Sequence, residues 1–174
     1  MTKTALVTGA TSGIGKATAQ ILAKNNYKII LCGRREDRLV ALEKELSEFT
    51  EVHTLSFDVR DKKAVFESIN SIPEAFSTID VLINNAGNAH GLDPIQNGDL
   101  DDWDAMIDIN VKGLLYVSKA VIPQMIERKS GHIINIGSIA GKEVSPNGNV
   151  YCASKHAVDA LSQAMRIIAI SRFE

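Results

Sequence analysis

The chain has 174 residues, 45% of them hydrophobic, with 19 basic and 21 acidic side chains and a formal charge of −2. That is enough apolar material for one domain with a substantial core, and the balanced charge offers no basic face to nucleic acid or an anionic membrane. No apolar run approaches the ~20 residues of a spanning helix, and Ala5-Leu-Val7 before glycine-rich sequence is too short for the apolar core of a secretion signal. Cys32 and Cys152 make no disulfide framework and suit a reducing cytoplasm. His53, His90, His132 and His156 show no metal-ligand spacing, so no metal is expected.

Lys3 to Thr8 reads as a short buried strand that opens into Gly9-Ala-Thr-Ser-Gly13-Ile-Gly15 and then a helix to about Asn25. Strand, glycine turn and helix together are the setting in which glycines bind phosphate. They let the backbone turn tightly and approach a pyrophosphate, while the helix N-terminus supplies unpaired N–H donors. The alternative is an ordinary strand-to-helix turn. A second strand, Tyr27 to Cys32, ends in Gly33-Arg34-Arg35. An acidic residue near this point in dinucleotide folds holds the ribose hydroxyls, whereas arginine accommodates a 2′-phosphate. Arg34 and Arg35 therefore favour NADP over NAD, unless Glu36 and Asp37 take them as ion-pair partners.

An amphipathic helix follows over Asp37–Glu48, with Leu39, Leu42 and Leu46 on its apolar face. The third strand, Glu51 to Phe57, ends in Asp58-Val59. That carboxylate sits at the sheet edge where open α/β folds bind ligands, and it suits either an adenine amino group or a helix N-cap. A third helix runs through Ala64, Val65, Ile69 and Ile72 to Pro73. The fourth strand ends in Asn84-Asn85-Ala86-Gly87, a turn sequence whose glycine permits close approach of a flat ring or ribose.

After a loop punctuated by glycine and proline, the periodicity predicts one long helix over Asp101–Glu127, with Asn110 buried among apolar residues. An amide there needs specific partners. A fifth strand from His132 leads to Ser138, and a helix from Tyr151 puts Tyr151 and Lys155 on one face. An ammonium close to a phenol favours the phenolate, which makes the pair a candidate proton donor and acceptor. Ser138 could hydrogen-bond a substrate oxygen. Five strand–helix alternations with short connections predict an α/β fold with a parallel sheet. No repeat or linker divides residues 1–174, so a single domain is expected.

Taken together, Thr8-Gly-Ala-Thr-Ser-Gly-Ile-Gly15, Asn84-Asn-Ala-Gly87, Asn110, Ser138 and Tyr151-Cys-Ala-Ser-Lys155 resemble the short-chain dehydrogenase/reductase family. The resemblance implies a Rossmann-like, doubly wound parallel sheet in three α/β/α layers, and hydride transfer between a nicotinamide and an alcohol or carbonyl. It implies Tyr151 as general acid/base and Lys155 as the residue that lowers its pKa and holds the nicotinamide ribose. Ser138 and Tyr151 would orient the substrate oxygen, and Asn110 would support a proton path to Lys155. Gly9, Ser12, Gly13, Ile14 and Gly15 would meet the pyrophosphate, and Arg34 and Arg35 the 2′-phosphate. Asp58 and Val59 would meet the adenine, and Asn85, Ala86 and Gly87 the adenosine and nicotinamide side.

Gly33-Arg-Arg-Glu-Asp-Arg-Leu39, Phe57-Asp-Val-Arg-Asp61, His132-Ile-Ile-Asn-Ile-Gly-Ser138 and Gly148-Asn-Val-Tyr151 look like the NADP-dependent subgroup acting on serine, allo-threonine and other 3-hydroxy acids. Another ketone class, or a non-catalytic NADP-binding sensor, are the alternatives. Family resemblance further implies a homo-oligomer, dimer or tetramer. Relatives run longer, so the usual C-terminal third of the fold is expected to lack a counterpart here. The closing run Arg166 to Glu174 also departs from the family pattern.

Overall fold

A computed structural model of the protein describes residues 2–171; the last three residues of the closing run lie outside the described residues. In chain order the elements are β1 (Thr4–Thr8), α1 (Gly13–Lys24), β2 (Lys28–Gly33), α2 (Glu36–Leu46), β3 (Val52–Ser56), α3 (Lys62–Asn70), β4 (Val81–Asn84), α4 (Leu100–Ile107), α5 (Leu114–Glu127), β5 (His132–Asn135) and α6 (Asn149–Ser171). Contacts gather into two compact units, Met1–Ala86 with Gly113–Ile134 and Gly87–Lys112 with Asn135–Glu174.

The first unit is built on a five-stranded sheet of order β3-β2-β1-β4-β5, with β1 paired parallel to both β2 and β4, and β2 parallel to β3. All five residues of β1 and the middle four of β2 are buried. Continuous apolar runs of this kind are what a parallel sheet covered on both faces requires, in place of the alternation of a half-exposed one. Leu6, Ile29, Ile30, Leu31 and Leu82 are inaccessible to solvent. Helices α1 and α2 are joined by an ion pair from Lys16 to Glu45 at 3.4 Å, and α3 packs against α5. Strand order reverses between β1 and β4. With right-handed crossovers, that reversal sends the chain to opposite faces and leaves a crevice at the strands' C-terminal ends. The fold is thus the Rossmann-like parallel sheet that the sequence predicts.

Thr8, the last residue of β1, ties this edge together. Its Oγ1 accepts from the backbone N–H of Asn85 and of Ala86, both at 3.0 Å, and donates to the Ile83 carbonyl at 3.3 Å. A hydroxyl has one donor and two acceptor sites, so this one is fully used. Asn85 returns the favour through Nδ2, which donates to the carbonyls of Thr8 at 2.9 Å and Gly9 at 3.1 Å.

In the second unit, α4 starts at Asp99, whose Oδ1 accepts from the Asp101 N–H at 2.8 Å. The expected single helix from residue 101 to 127 is instead α4 and α5 separated by a π-helical stretch, Asp108–Gly113. A π turn carries one more residue than an α turn, and apolar periodicity passes through it with little change, which is why the sequence reads as continuous. The third helix ends at Asn70 rather than near Pro73, and a short 3₁₀ turn, Glu74–Phe76, takes up the chain.

Replacing Thr8 with valine keeps the shape but removes the acceptor of the partly buried Ala86 N–H and one of the two acceptors of the Asn85 N–H, whose other is the Ile83 carbonyl. Thr8→Val is expected to lower unfolding free energy by ~1–3 kcal/mol in guanidinium titration, with the far-UV spectrum unchanged. An unaltered midpoint would show that Thr8 does not hold this edge.

Candidate active site

Two groups of expected site residues occur, one in each unit. In the first unit, Gly9 has φ +63°, and a Cβ there would lie 2.9 Å from Asn85 Nδ2. Any larger residue would be strained and crowded. A Cβ on Gly15 would collide with Asn85 Nδ2 and the Gly9 carbonyl. Gly13, at φ +53°, has open space where its Cβ would be. Ser12 precedes α1 in extended backbone without capping it, and Ile14 is exposed. The first-turn N–H groups of α1 therefore lack a side-chain cap, beside room left by Gly13, and an anion satisfies such donors well. These features fit a dinucleotide pyrophosphate.

Of the two arginines, Arg35 donates through Nη2 to Thr11 Oγ1 at 2.7 Å and Ser12 Oγ at 2.9 Å. Arg34 reaches Asp58 Oδ2 at 3.4 Å. The acidic partner is thus Asp58, not the Glu36 and Asp37 that the sequence offered. Nor is Asp58 a helix cap: Asp61 caps α3, accepting from Ala64 N at 3.0 Å. Val59 is buried and packs on Gly113, where a Cβ would come within 2.7 Å of its Cγ2. Asn85 and Ala86 stand at the end of β4, held to Thr8 as described.

The second unit carries Asn110, Ser138, Tyr151 and Lys155. Asn110 lies in the π stretch and is 2% exposed. Its Oδ1 accepts from the Asn88 N–H at 2.9 Å, and its Nδ2 donates to the Asn88 carbonyl at 2.8 Å and to Ser154 Oγ at 3.0 Å. Ser154 in turn donates to the Tyr151 carbonyl at 2.8 Å. The partners that a buried amide requires are therefore the residue after Gly87 and the helix turn that carries Tyr151 and Lys155. Lys155 is buried; its Nζ donates to the Ile136 carbonyl at 2.8 Å and lies 5.9 Å from the centre of the Tyr151 ring. Burial disfavours the ammonium and lowers the Lys155 pKa below its ordinary 10.5.

Ser138 lies beyond β5, in extended backbone, and starts the 3₁₀ turn Ile139–Gly141 by accepting from Ala140 N at 3.2 Å. The turn presses on α6: a Cβ on Gly141 would lie 2.7 Å from the Lys155 carbonyl oxygen. Asn149 anchors the start of α6 by donating to the Asp93 carbonyl at 2.9 Å. Cys152, next to Tyr151, is a buried free thiol. Sequence reasoning missed Thr8, Asn88, Ser154 and Arg60. Only Arg60 left a local trace, as a cation two residues after a carboxylate.

A model of the short chain dehydrogenase family matches residues 3–168. The chain belongs to this family. It is 48% identical over 161 residues to the NADP-dependent 3-hydroxy acid dehydrogenase of Salmonella typhi, covering 92% of this chain and 64% of that one. Sulfoacetaldehyde reductase 2 of Chromohalobacter salexigens is 47% identical over 167 residues, covering 95% and 66%. A solved closed form of serine dehydrogenase complexed with NADP+ superposes with a TM-score of 0.89 at 43% identity, over 94% of this chain and 65% of that one. The chain thus spans about two thirds of the length of these relatives.

Because the folded Lys155 has the lower pKa, the unfolded chain binds more protons between that value and 10.5. Stability must rise with pH across that window and gain nothing more from this group above it. The stability of the native protein minus that of Lys155→Met, from guanidinium midpoints, is therefore expected to climb as pH approaches 10.5. A flat or falling difference would contradict a desolvated ammonium.

Proposed function

We propose that the protein is an NADP-dependent oxidoreductase exchanging hydride with a small alcohol or carbonyl compound, with a 3-hydroxy acid such as serine or allo-threonine as the leading substrate class. The observation that carries this reading is the buried Lys155 ammonium on the same helix face as Tyr151. A scaffold that merely held a nucleotide has no need of a desolvated cation beside a phenol. Bound NADP would supply the hydride donor or acceptor. In this reading Gly9, Ser12, Gly13, Ile14 and Gly15 hold its pyrophosphate, Arg34 and Arg35 the 2′-phosphate, Asp58 and Val59 the adenine, and Asn85, Ala86 and Gly87 the ribose side.

The chain's own work is to manage a proton. Tyr151 gives its phenolic proton to the substrate oxygen during reduction, or takes one during oxidation. Lys155 places its charge beside the tyrosine ring and contacts the nicotinamide ribose. Ser138 donates to the same substrate oxygen and fixes its direction. Asn110 holds Asn88 and Ser154 in place and supports a proton path to Lys155.

A second reading concerns the substrate. A sulfoacetaldehyde reductase stands nearly as near in identity as the hydroxy acid dehydrogenase. Both names describe small anionic compounds with one oxidisable or reducible carbon. An acidic aldehyde is therefore the alternative substrate. In either case we place the protein in the cytoplasm as a homo-oligomer, dimer or tetramer. The exposed alanines of α6, Ala153, Ala160 and Ala164, support close approach of a second copy.

Tyr151→Phe removes only the proton donor. It is expected to lower kcat by about 10²–10⁴-fold in NADPH-linked turnover of 3-oxo acids and acidic aldehydes, while NADPH fluorescence titration still saturates. Undiminished turnover in the variant would remove Tyr151 from the chemistry.

A further inference from the structure

Asp58 is gripped far more firmly by one arginine than by the other. Arg60 donates to it through Nη2 at 2.7 Å and Nε at 3.0 Å to Oδ2, and again through Nε at 3.1 Å to Oδ1. The Arg60 backbone N–H adds a bond to Oδ1 at 3.0 Å. Arg34 makes one contact, at 3.4 Å, longer than the ~2.7–2.9 Å of a good charge-assisted bond. Burial raises the Asp58 pKa, but the bonds from Arg60 outweigh it and hold the carboxyl below its ordinary range. The carboxylate is thus ionised and already matched.

The two arginines compete for one acceptor, and Arg60 wins for a local reason. It sits two residues away in the same turn, so fork-like pairing closes only a short loop, and the backbone bond fixes that turn. Arg34 comes from the end of β2 across to the end of β3, and more than half of its side chain is exposed. Without Arg60, Asp58 would keep Arg34 as its guanidinium partner and could draw it closer than the present 3.4 Å.

We propose that Arg60 sets the preference for a 2′-phosphate without touching it, by occupying Asp58 and so leaving Arg34 to the phosphate. Arg60 is a positioning residue in this scheme, and the scheme rests on the NADP reading given above. It predicts an unusual pattern: loss of a cation weakens anion binding, and loss of the neighbouring carboxylate restores it.

The test compares 2′,5′-ADP with 5′-AMP, which differ only in the 2′-phosphate, by calorimetric titration of the native protein, Arg60→Gln, Asp58→Asn and the double variant. The quantity read is the affinity ratio of the two nucleotides, which cancels any change in adenine contact. Arg60→Gln is expected to lower the ratio about tenfold, the scale of one charged hydrogen-bonded partner. Adding Asp58→Asn is expected to bring it back to within about threefold of the native value. Asp58→Asn alone is expected to leave the ratio unchanged or raise it, since no carboxylate then competes for Arg34. A ratio unmoved by Arg60→Gln overturns the proposal. So does a loss that Asp58→Asn fails to restore, which would put Arg60 on the phosphate itself, and so does a fall in the Asp58→Asn variant. Should the native protein show no preference for 2′,5′-ADP, the NADP reading itself fails, a result separate from the other three.

Discussion

A charged amine buried in protein is costly unless something holds it, and the second unit is arranged around one. Lys155 is 7% exposed, and one of its three donors goes to the Ile136 carbonyl. That carbonyl belongs to the stretch that leads from β5 to Ser138, so holding the ammonium also fixes the approach to the serine. Gly141 lets the following 3₁₀ turn lie directly on the helix backbone at Lys155. On the same turn of α6, the preceding residue Ser154 is fully buried and bridges Asn110 to the Tyr151 carbonyl. Asn110, Ser154 and the Tyr151 carbonyl are linked in one chain of hydrogen bonds, and connected buried bonds of this kind favour a rigid geometry.

The first unit answers a different constraint. Parallel strands need crossovers, crossovers have one hand, and the reversal between β1 and β4 leaves loop ends together at one edge of the sheet. What closes that edge is short-range and polar: the Thr8 hydroxyl and the Asn85 amide exchange bonds with the backbone of both strands. Gly9 and Gly15 are required where they stand because Asn85 occupies the space a side chain would fill. The residues that fit a phosphate and those that secure the loop are thus neighbours with separate duties, the first leaving donors free and the second using every one.

Much of this was legible beforehand because it is local. Buried runs in β1 and β2, the glycine spacing and the shared face of Tyr151 and Lys155 are properties of a few consecutive residues. The need of Asn110 for partners was legible too, since a buried amide among apolar residues has few alternatives. Its partners were not, because Asn88 and Ser154 are brought to it by the fold. The π stretch escaped notice since hydrophobic periodicity continues across it, and only the backbone bonding distinguishes it. Asp58 could be read as an adenine contact or a helix cap; its grip on Arg60 and its looser hold on Arg34 depend on the turn after β3 and on the ends of two neighbouring strands. Membership of the short-chain dehydrogenase family was legible from five motifs in order, and the choice between an acidic alcohol and an acidic aldehyde was not.

If the tyrosine–lysine pair serves hydride exchange with a small substrate, a label on the cofactor must pass to the product. The most direct measurement is label transfer: NADPH with both C4 hydrogens of the nicotinamide replaced by deuterium is mixed with the protein and a set of 3-oxo acids and acidic aldehydes, and the products are read by mass spectrometry and NMR. One deuterium on the carbinol carbon of at least one product is expected. Saturating NADPH binding with no label in any product would contradict that role.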